Sequence, residues 1–309
     1  MKNSKLKGNM ILLLTAVVWG ISFISQSKGV ELISPVTFNG VRCMLGSVVL
    51  IPVILFLDYN KKKKGISVQK IDKTLLLGGL ICGTFLCLAS TVQTAGMLYT
   101  SPGKSGFITA LYMIIIPIIG LFIGKRPSIA VIVSVLIATV GMYLMCIDSA
   151  FSINKGDVLT LLCAFLFSGH ILAIDYFSPK VDGVKLACLQ FFVSGALNLI
   201  YMFLFEKPEL SPILNCWASI GYSGIMSCGV AYTLQIVGQK YTDPTSASII
   251  MSLESVFATL STVILISLGW NLTGGALTIR EILGCVLMFI AIILVQLPEK
   301  KKENCQKTA

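Results

Sequence analysis

Charged residues and long polar connections are both scarce in this sequence. Only 12% of its 309 residues are charged, whereas 55% are hydrophobic and the mean hydropathy is +0.88. A chain this apolar is not an ordinary soluble domain. The longest polar connection runs from about Asp58 to Asp72. It holds too few residues for a nucleotide-hydrolysing or receptor domain, so we expect no appended domain of either kind between the apolar runs.

Residues that build metal centres are few or poorly spaced. His170 is the only histidine, and most of the ten cysteines fall inside apolar runs without the spacing of metal ligands. Cysteine in such runs behaves as a small hydrophobic residue. The sequence therefore predicts no metal centre and no other cofactor.

Long apolar runs fill nearly all of the chain. Runs of about 18 residues or more can cross the hydrocarbon core of a bilayer. Continuous runs of this length favour helices over barrel strands, because backbone groups in lipid must bond within their own segment. The runs lie at about 9–27, 36–57, 74–98, 104–123, 128–147, 156–177, 184–205, 214–238, 245–268 and 281–297. The sequence thus predicts an all-α integral membrane protein with ten transmembrane helices.

The distribution of basic residues predicts the orientation. Of the 24 lysines and arginines, 18 fall in one set of alternate connections and 5 in the other, while Arg42 lies inside a span. The positive-inside rule places both termini in the cytosol. An even number of spans likewise requires both termini to lie on the same side of the membrane. The net charge of +10 therefore reflects orientation in the lipid bilayer, and no nucleic-acid partner is expected.

A short motif occurs twice. Gly96 to Pro102 recurs as Gly238 to Pro244, and both copies join two apolar runs. In each copy one helix ends and the next begins. A glycine lies near the end of the first helix, and a proline lies close to the first turn of the helix that follows. Adding 142 superimposes Gln93 on Gln235, Gly96 on Gly238, Tyr99 on Tyr241, Thr100 on Thr242 and Pro102 on Pro244. Adding 148 relates Trp19 to Phe167 and Arg42 to Gln190.

These repeats predict two related halves of opposite orientation. Each half holds five spans, an odd number, so the second half enters the membrane from the other side. The predicted order is a cytosolic tail (1–8), a first five-helix repeat (9–147), a second five-helix repeat (148–297) and a cytosolic tail (298–309). Inverted repeats are a recurrent architecture of secondary transporters, with the substrate near the midplane between the halves.

Degenerate motifs, in consistent order and spacing, extend over residues 9 to 297. They are Leu14 to Phe23, Gly40-Val41-Arg42, Tyr99 to Phe107, Pro117, Gly156-Asp157-Val158, Tyr241 to Pro244 and Ser252 to Phe257. In these motifs the chain resembles the drug/metabolite transporter superfamily, specifically the EamA-like transporters. It departs from the family at Gly124-Lys125, where Gly-Glu is common, and at Ser255, where the family has proline.

The resemblance implies a ten-helix protein of two EamA units that exports small organic metabolites, amino acids first. We expect a secondary transporter of the plasma or inner membrane that works by alternating access around a midplane cavity. Its partners would be a small-molecule substrate and the bilayer, and a monomer suffices because two halves can enclose a cavity.

Two alternatives belong to other classes. An integral-membrane enzyme acting on lipid or isoprenoid carriers usually needs acids, histidine or a metal cluster where helices meet water. The sequence offers no Walker A motif and no paired acids in a loop, so we expect no enzymatic activity. The other alternative is a non-transporting membrane scaffold.

Arg42 and Glu254 are the charged candidates for substrate binding. Arg42 lies about 10 Å inside the external end of its span, and Glu254 lies about 15 Å into its own. Arginine at such depth faces protein or water, where it either clamps a carboxylate or phosphate or ties to carbonyl groups of a neighbouring helix. Glu254 either pairs with a substrate cation or carries a coupling proton, or it joins helices as a neutral carboxyl.

The remaining candidates are uncharged or titrate near neutrality. His170 is a candidate for proton coupling, with helix packing as the alternative. Trp19 and Tyr112 could stack on a substrate or simply pack, and Tyr112 occupies the position equivalent to Glu254. Three glutamines could line a cavity or bond between helices, namely Gln93, Gln190 and Gln235.

Overall fold

The structure is a computed structural model that describes residues 2–100, 102–122, 124, 127–146, 154–269 and 278–296. Every regular element among these residues is a helix. Some predictions fall outside the described residues. These are the basic pair Lys125 and Arg126, the repeat boundary at 147–148, and the C-terminal tail.

The first repeat contains six described helices. They are α1 (Lys2–Val30), α2 (Pro35–Lys63), α3 (Lys73–Gly96), α4 (Pro102–Thr109), α5 (Tyr112–Phe122) and α6 (Ile129–Cys146). Ser34 caps α2 and Asp72 caps α3, each side chain accepting a hydrogen bond from a backbone amide in the first turn. Both helices therefore begin at residues whose side chains hydrogen-bond a backbone amide that has no partner within the helix.

The second repeat is more irregular. Its helices are α7 (Lys155–Phe177), α8 (Gly183–Phe205), α9 (Leu210–Asn215), α10 (Trp217–Gly221), α11 (Thr233–Gln239), α12 (Pro244–Met251), α13 (Glu254–Ser267) and α14 (Ile279–Gln296). A π-helical segment, Tyr222–Tyr232, joins α10 to α11. Wider π turns interrupt the regular pattern of an α-helix and occur frequently at functional sites.

In the described part of the chain, eight helical segments are long and apolar enough to cross a membrane. Two shorter apolar helices, Ile129–Leu144 and Ile282–Val295, pack against each other within α6 and α14. The expected all-helical, membrane-type architecture is therefore present.

The fourth apolar segment of each half is a helix that breaks near its centre. Residues 110–111 separate α4 from α5, and residues 252–253 separate α12 from α13. The two breaks are related by the offset of 142. At each break the backbone tightens to three-residue spacing, since the amides of Met113 and Ser255 donate to carbonyl groups three residues earlier. The two repeats therefore share a helix break at equivalent positions.

Helices of one repeat pack mainly against helices of the other. α2 lies along α8, α3 along α7, and α1 along α13, α11 and the π-helical segment. The resulting main core contains buried side chains from both repeats, among them Leu12, Met113, Phe191 and Val256. Each repeat therefore completes the core of the other.

Two close helix crossings have equivalent geometry. A Cβ atom on Gly156 would lie 2.6 Å from the carbonyl oxygen of Gly96, so α7 starts against the end of α3. A Cβ atom on Gly8 would lie 3.0 Å from the carbonyl oxygen of Gly238, so α1 starts against the end of α11. Glycine at these positions lets the backbones approach closely.

A threonine of the repeated motif bonds across each crossing. The Thr100 hydroxyl donates to Oδ1 of Asp157 at 2.9 Å, and the Thr242 hydroxyl donates to Oδ1 of Asn9 at 2.9 Å. The offsets of 142 and 148 relate these pairs residue by residue. They differ in charge, because Lys104 adds an ion pair of 2.7 Å to Asp157 alone.

Candidate functional site

Glu254 and Tyr112 contact each other at the centre of the site. Each is the first residue after a helix break, and the Tyr112 hydroxyl donates to Oε1 of Glu254 at 3.1 Å. Both side chains are almost fully buried. Two residues at equivalent positions can touch only where the two repeats meet, so this pair marks the boundary between them.

Arg42 is buried in α2 and is oriented by a neighbour on the same helix. Its Nε donates to Oδ1 of Asn39 at 2.8 Å, and its guanidinium lies 5.4 Å from the centre of the Phe38 ring. Among the described residues this is its one hydrogen bond, and no acid forms an ion pair with it. The terminal nitrogens of the guanidinium therefore remain available to an acceptor.

Asn39 itself is held in place from two sides. Its Nδ2 donates to the carbonyl oxygen of Pro35 at 2.8 Å and to the hydroxyl oxygen of Thr94 on α3 at 2.7 Å. These bonds turn Oδ1 towards Arg42. The guanidinium is consequently fixed by a chain of contacts that begins on a neighbouring helix of the same repeat.

Tyr232, at the end of the π-helical segment, joins the aromatic residues of the site. Its ring centre lies 4.7 Å from that of Trp19, 6.0 Å from that of His170 and 5.8 Å from that of Phe191, all edge to face. Such spacings are typical of favourable aromatic pairs. Helices of both repeats therefore meet around one tyrosine.

His170 and Gln190 bond to each other, with 3.1 Å between His170 Nε2 and Gln190 Oε1. The other polar atom of each side chain, Nδ1 and Nε2 respectively, is buried without a hydrogen-bond partner. The same is true of Nε1 of Trp19. Buried polar groups are rarely left without partners, so these atoms indicate a place for a polar ligand or water.

The other two predicted glutamines diverge in their contacts. Nε2 of Gln93 donates to the hydroxyl oxygen of Thr109 at 3.1 Å, which ties α3 to the end of α4. Oε1 of Gln235 is buried without a partner. The two residues are equivalent in the repeats, yet within the described residues Gln93 hydrogen-bonds another helix and Gln235 does not.

The charged candidates come from different repeats and both act on Tyr232. The Arg42 guanidinium and the Glu254 carboxyl each interact electrostatically with the Tyr232 hydroxyl. No ion pair joins them in the described part of the chain. A buried cation and a buried acid that both interact with one hydroxyl can receive a ligand that carries both signs of charge.

Tyr232 and Asn39 are among the residues of the site that escaped the sequence analysis. Tyr232 lies at the position equivalent to Ser90, so the repeat gave no signal for an aromatic residue there. Asn39 could have been found, because it precedes Arg42 by three residues and therefore shares its helix face. Among the described residues, no group of three or more His, Cys, Asp or Glu side chains could hold a metal ion.

Comparisons with known proteins agree with the repeat. The sequence model of the EamA-like transporter family matches residues 6–147 and again residues 154–297. An uncharacterized transporter of Archaeoglobus fulgidus is 30% identical over 295 residues, which cover 95% of this chain and 87% of that protein. The uncharacterized transporter YoaV of Bacillus subtilis is 19% identical over 284 residues, with coverage of 90% and 92%.

A similar fold occurs in a solved crystal structure. It aligns with a TM-score of 0.71 and 18% sequence identity, and it covers 93% of this chain and 96% of its own. This similarity concerns the fold alone. The family expected from the short motifs is the one whose sequence model matches, and it matches twice.

Proposed function

Since this chain belongs to the EamA-like transporter family, we propose that it is a secondary transporter that exports small organic metabolites, amino acids first. The export direction and the substrate class follow the family resemblance. The site lies between two repeats that each supply a charged residue, an arrangement suited to alternating access. We place the protein in the plasma or inner membrane, as a transporter rather than an enzyme.

The proposed topology has ten transmembrane helices in two inverted five-helix repeats, with both termini in the cytosol. The two glycine crossings support inversion. If the helices traverse the bundle in turn, the end of α3 and the end of α11 lie at opposite faces. The starts of α1 and α7, which contact them, then also lie at opposite faces.

The substrate assignment rests on two buried side chains of opposite charge, Arg42 and Glu254, which come from different repeats and both interact electrostatically with Tyr232. A guanidinium binds a carboxylate bidentately, and a carboxylate can pair with an ammonium group. An amino acid carries both groups. The aromatic side chains around Tyr232 would then contact its apolar part.

Proton coupling through Glu254, with His170 as the second candidate, completes the proposal. Glu254 hydrogen-bonds a residue of the other repeat and can alternate between its charged and neutral forms as the repeats separate. His170 contacts both Gln190 and Tyr232, so its protonation would alter the same cluster.

The first test is thermal stabilisation of the detergent-purified protein by amino acids, nucleosides, sugars and organic cations. A ligand at about ten times its Kd stabilises the folded state by about 1.4 kcal/mol. The proposal expects stabilisation by amino acids that Arg42→Ala abolishes and Glu254→Gln weakens. Glu31→Gln is the control, because Glu31 is an exposed acid paired with Lys28.

Flux in proteoliposomes loaded with the stabilising compound tests transport itself. Retained flux in Arg42→Ala would contradict the site assignment. Full indifference to the double variant, with the protein still in the membrane, would favour a scaffold. Hydrolysis of lipid headgroups by the purified protein would favour the enzyme.

A further inference from the structure

The connection between α2 and α3 is strongly basic. Residues 61–73, here called the basic segment, contain six lysines in 13 positions. A lysine cluster beside a transmembrane helix commonly serves only to orient the protein. The arrangement of the nearby acids indicates a more specific role.

The acids near the basic segment are already engaged. Asp182 pairs with Lys61 at 2.5 Å, and Asp58 pairs with Lys185 at 2.8 Å. Asp72 caps α3, its side chain accepting the amide of Leu75 at 2.8 Å. Five lysines consequently have no ion pair within the described residues, namely Lys62, Lys63, Lys64, Lys70 and Lys73.

The basic segment is also fixed in shape. Gly65 has a φ of 68°, and the amide of Ile66 donates to the carbonyl oxygen of Lys61, which ends α2 in a tight glycine turn. Further along, Gln69 accepts the backbone amide of Asp182 and the ammonium of Lys185. The segment is thereby held against the turn between α7 and α8.

Two isoleucines stand out from this polar surface. The exposed fraction is 54% for Ile66 and 73% for Ile71. Isoleucines that stay exposed to water add no stability to the folded state. The headgroup boundary of a bilayer, in contrast, accommodates apolar side chains among basic residues. The end of α2 reaches this boundary, because its 29 residues exceed the roughly 20 needed to cross the hydrocarbon core.

We infer that the basic segment binds the headgroups of anionic phospholipids in the adjoining leaflet, with Ile66 and Ile71 inserted between them. The unpaired lysines supply the charge, and Gln69 and Gly65 hold them in one orientation. The inference rests on the proposed crossing of the membrane by α2 and not on transport.

The test compares phosphatidylglycerol with phosphatidylcholine of the same acyl chains, added to the full-length protein in detergent. Bound lipid is counted by native mass spectrometry, and the melting temperature is followed in parallel. Each lysine near a membrane surface contributes about fivefold in affinity for anionic lipid. The variant Lys62→Gln/Lys63→Gln/Lys64→Gln should therefore bind phosphatidylglycerol at least tenfold more weakly.

The matched control is Lys28→Gln/Lys155→Gln/Lys207→Gln, which removes the same charge elsewhere and should keep the lipid preference. Ile66→Ser/Ile71→Ser should weaken binding while leaving every charge in place. Unchanged binding in the first variant overturns the inference, as does equal binding of the two lipids.

Inorganic phosphate separates a lipid site from a free-anion site. Stabilisation by phosphate equal to that by phosphatidylglycerol would assign the segment to a soluble anion and overturn the inference. Arg42→Ala should retain the lipid preference, so failure of the substrate assignment and failure of the lipid site are distinguishable.

Discussion

Tyr112 and Glu254 occupy equivalent positions of the two repeats and are hydrogen-bonded to each other at 3.1 Å. Their contact predicts energetic coupling. Residues in direct contact have interaction energies of about 0.5–3 kcal/mol, whereas distant residues are nearly additive. Thermal unfolding of Tyr112→Phe, Glu254→Gln and the double variant should reveal coupling in this range.

The same pair predicts the pH dependence of transport. Glu254→Gln keeps the shape of the side chain but removes its proton exchange, so the variant should transport with a flatter pH profile than wild type. Tyr112→Phe should keep the pH dependence and change only its midpoint. An unchanged profile in Glu254→Gln would remove this residue from the coupling mechanism.

The hydrogen bond from Arg42 to Asn39 predicts that Asn39 orients the guanidinium for substrate binding. Asn39→Ala leaves the guanidinium in place but removes the oxygen that orients Nε, so substrate affinity should fall about tenfold. Arg42→Lys should lose more, because an ammonium cannot reproduce a planar bidentate contact. The rise in melting temperature with added ligand measures the substrate affinity of both variants. Arg42→Ala is the reference for complete loss of binding.

Much of this architecture was accessible from the sequence. Continuous apolar runs predicted the helices, and the recurrence of Gly96 to Pro102 predicted the two repeats. Arg42 and Glu254 were recognisable because charge inside an apolar run is rare. Whether either binds substrate stays a prediction.

Other features had no local signal. The π-helical segment packs against α1 and α2, and the helix broken at residues 252–253 packs against the helix broken at residues 110–111. No single run of residues encodes these contacts between the repeats. Tyr232 was missed because its equivalent is Ser90. Asn9 and Asp157 are related by the offset of 148 but differ in residue type, and their shared role becomes visible through their threonine partners. All of these features involve contacts between the repeats.

The ion pair at the Thr100–Asp157 contact should be reproducible at the equivalent Thr242–Asn9 contact. Asp157→Asn keeps the bond to Thr100 but removes the pairing with Lys104, and should cost about 2 kcal/mol of stability. Asn9→Asp should be destabilising, because the equivalent of Lys104 is Ser246. Adding Ser246→Lys to Asn9→Asp should restore part of the loss in thermal unfolding.

The close approach of α7 to α3 at Gly156 leaves no room for a larger side chain. Its added Cβ would lie 2.6 Å from the carbonyl oxygen of Gly96, so Gly156→Ala should cost about 1–3 kcal/mol. Gly221→Ala is the control, since its added Cβ has no atom within 4 Å apart from its chain neighbours and the nearby backbone of its own helix. Equal melting temperatures for the two variants would contradict the close crossing.

Asp182 predicts a loss of stability in acid. Partial burial acts to raise its pKa, but hydrogen bonds from Lys61 and from the backbone amides of Lys185 and Val184 hold the pKa below the usual range for aspartate. The folded state thus binds its proton less readily than the unfolded chain. The stabilisation is present above about pH 4 and disappears as the pH falls through the lowered pKa.

Melting temperatures of the purified protein between pH 6 and pH 3.5 measure this effect. Wild type should lose more stability over the interval than Asp182→Asn, whose amide still caps α8 but does not titrate. Lys61→Gln should fall between them, because it removes the strongest bond that lowers the pKa. Parallel curves for all three proteins would mean that another group governs acid unfolding, and that the Lys61–Asp182 pair contributes little to the fold.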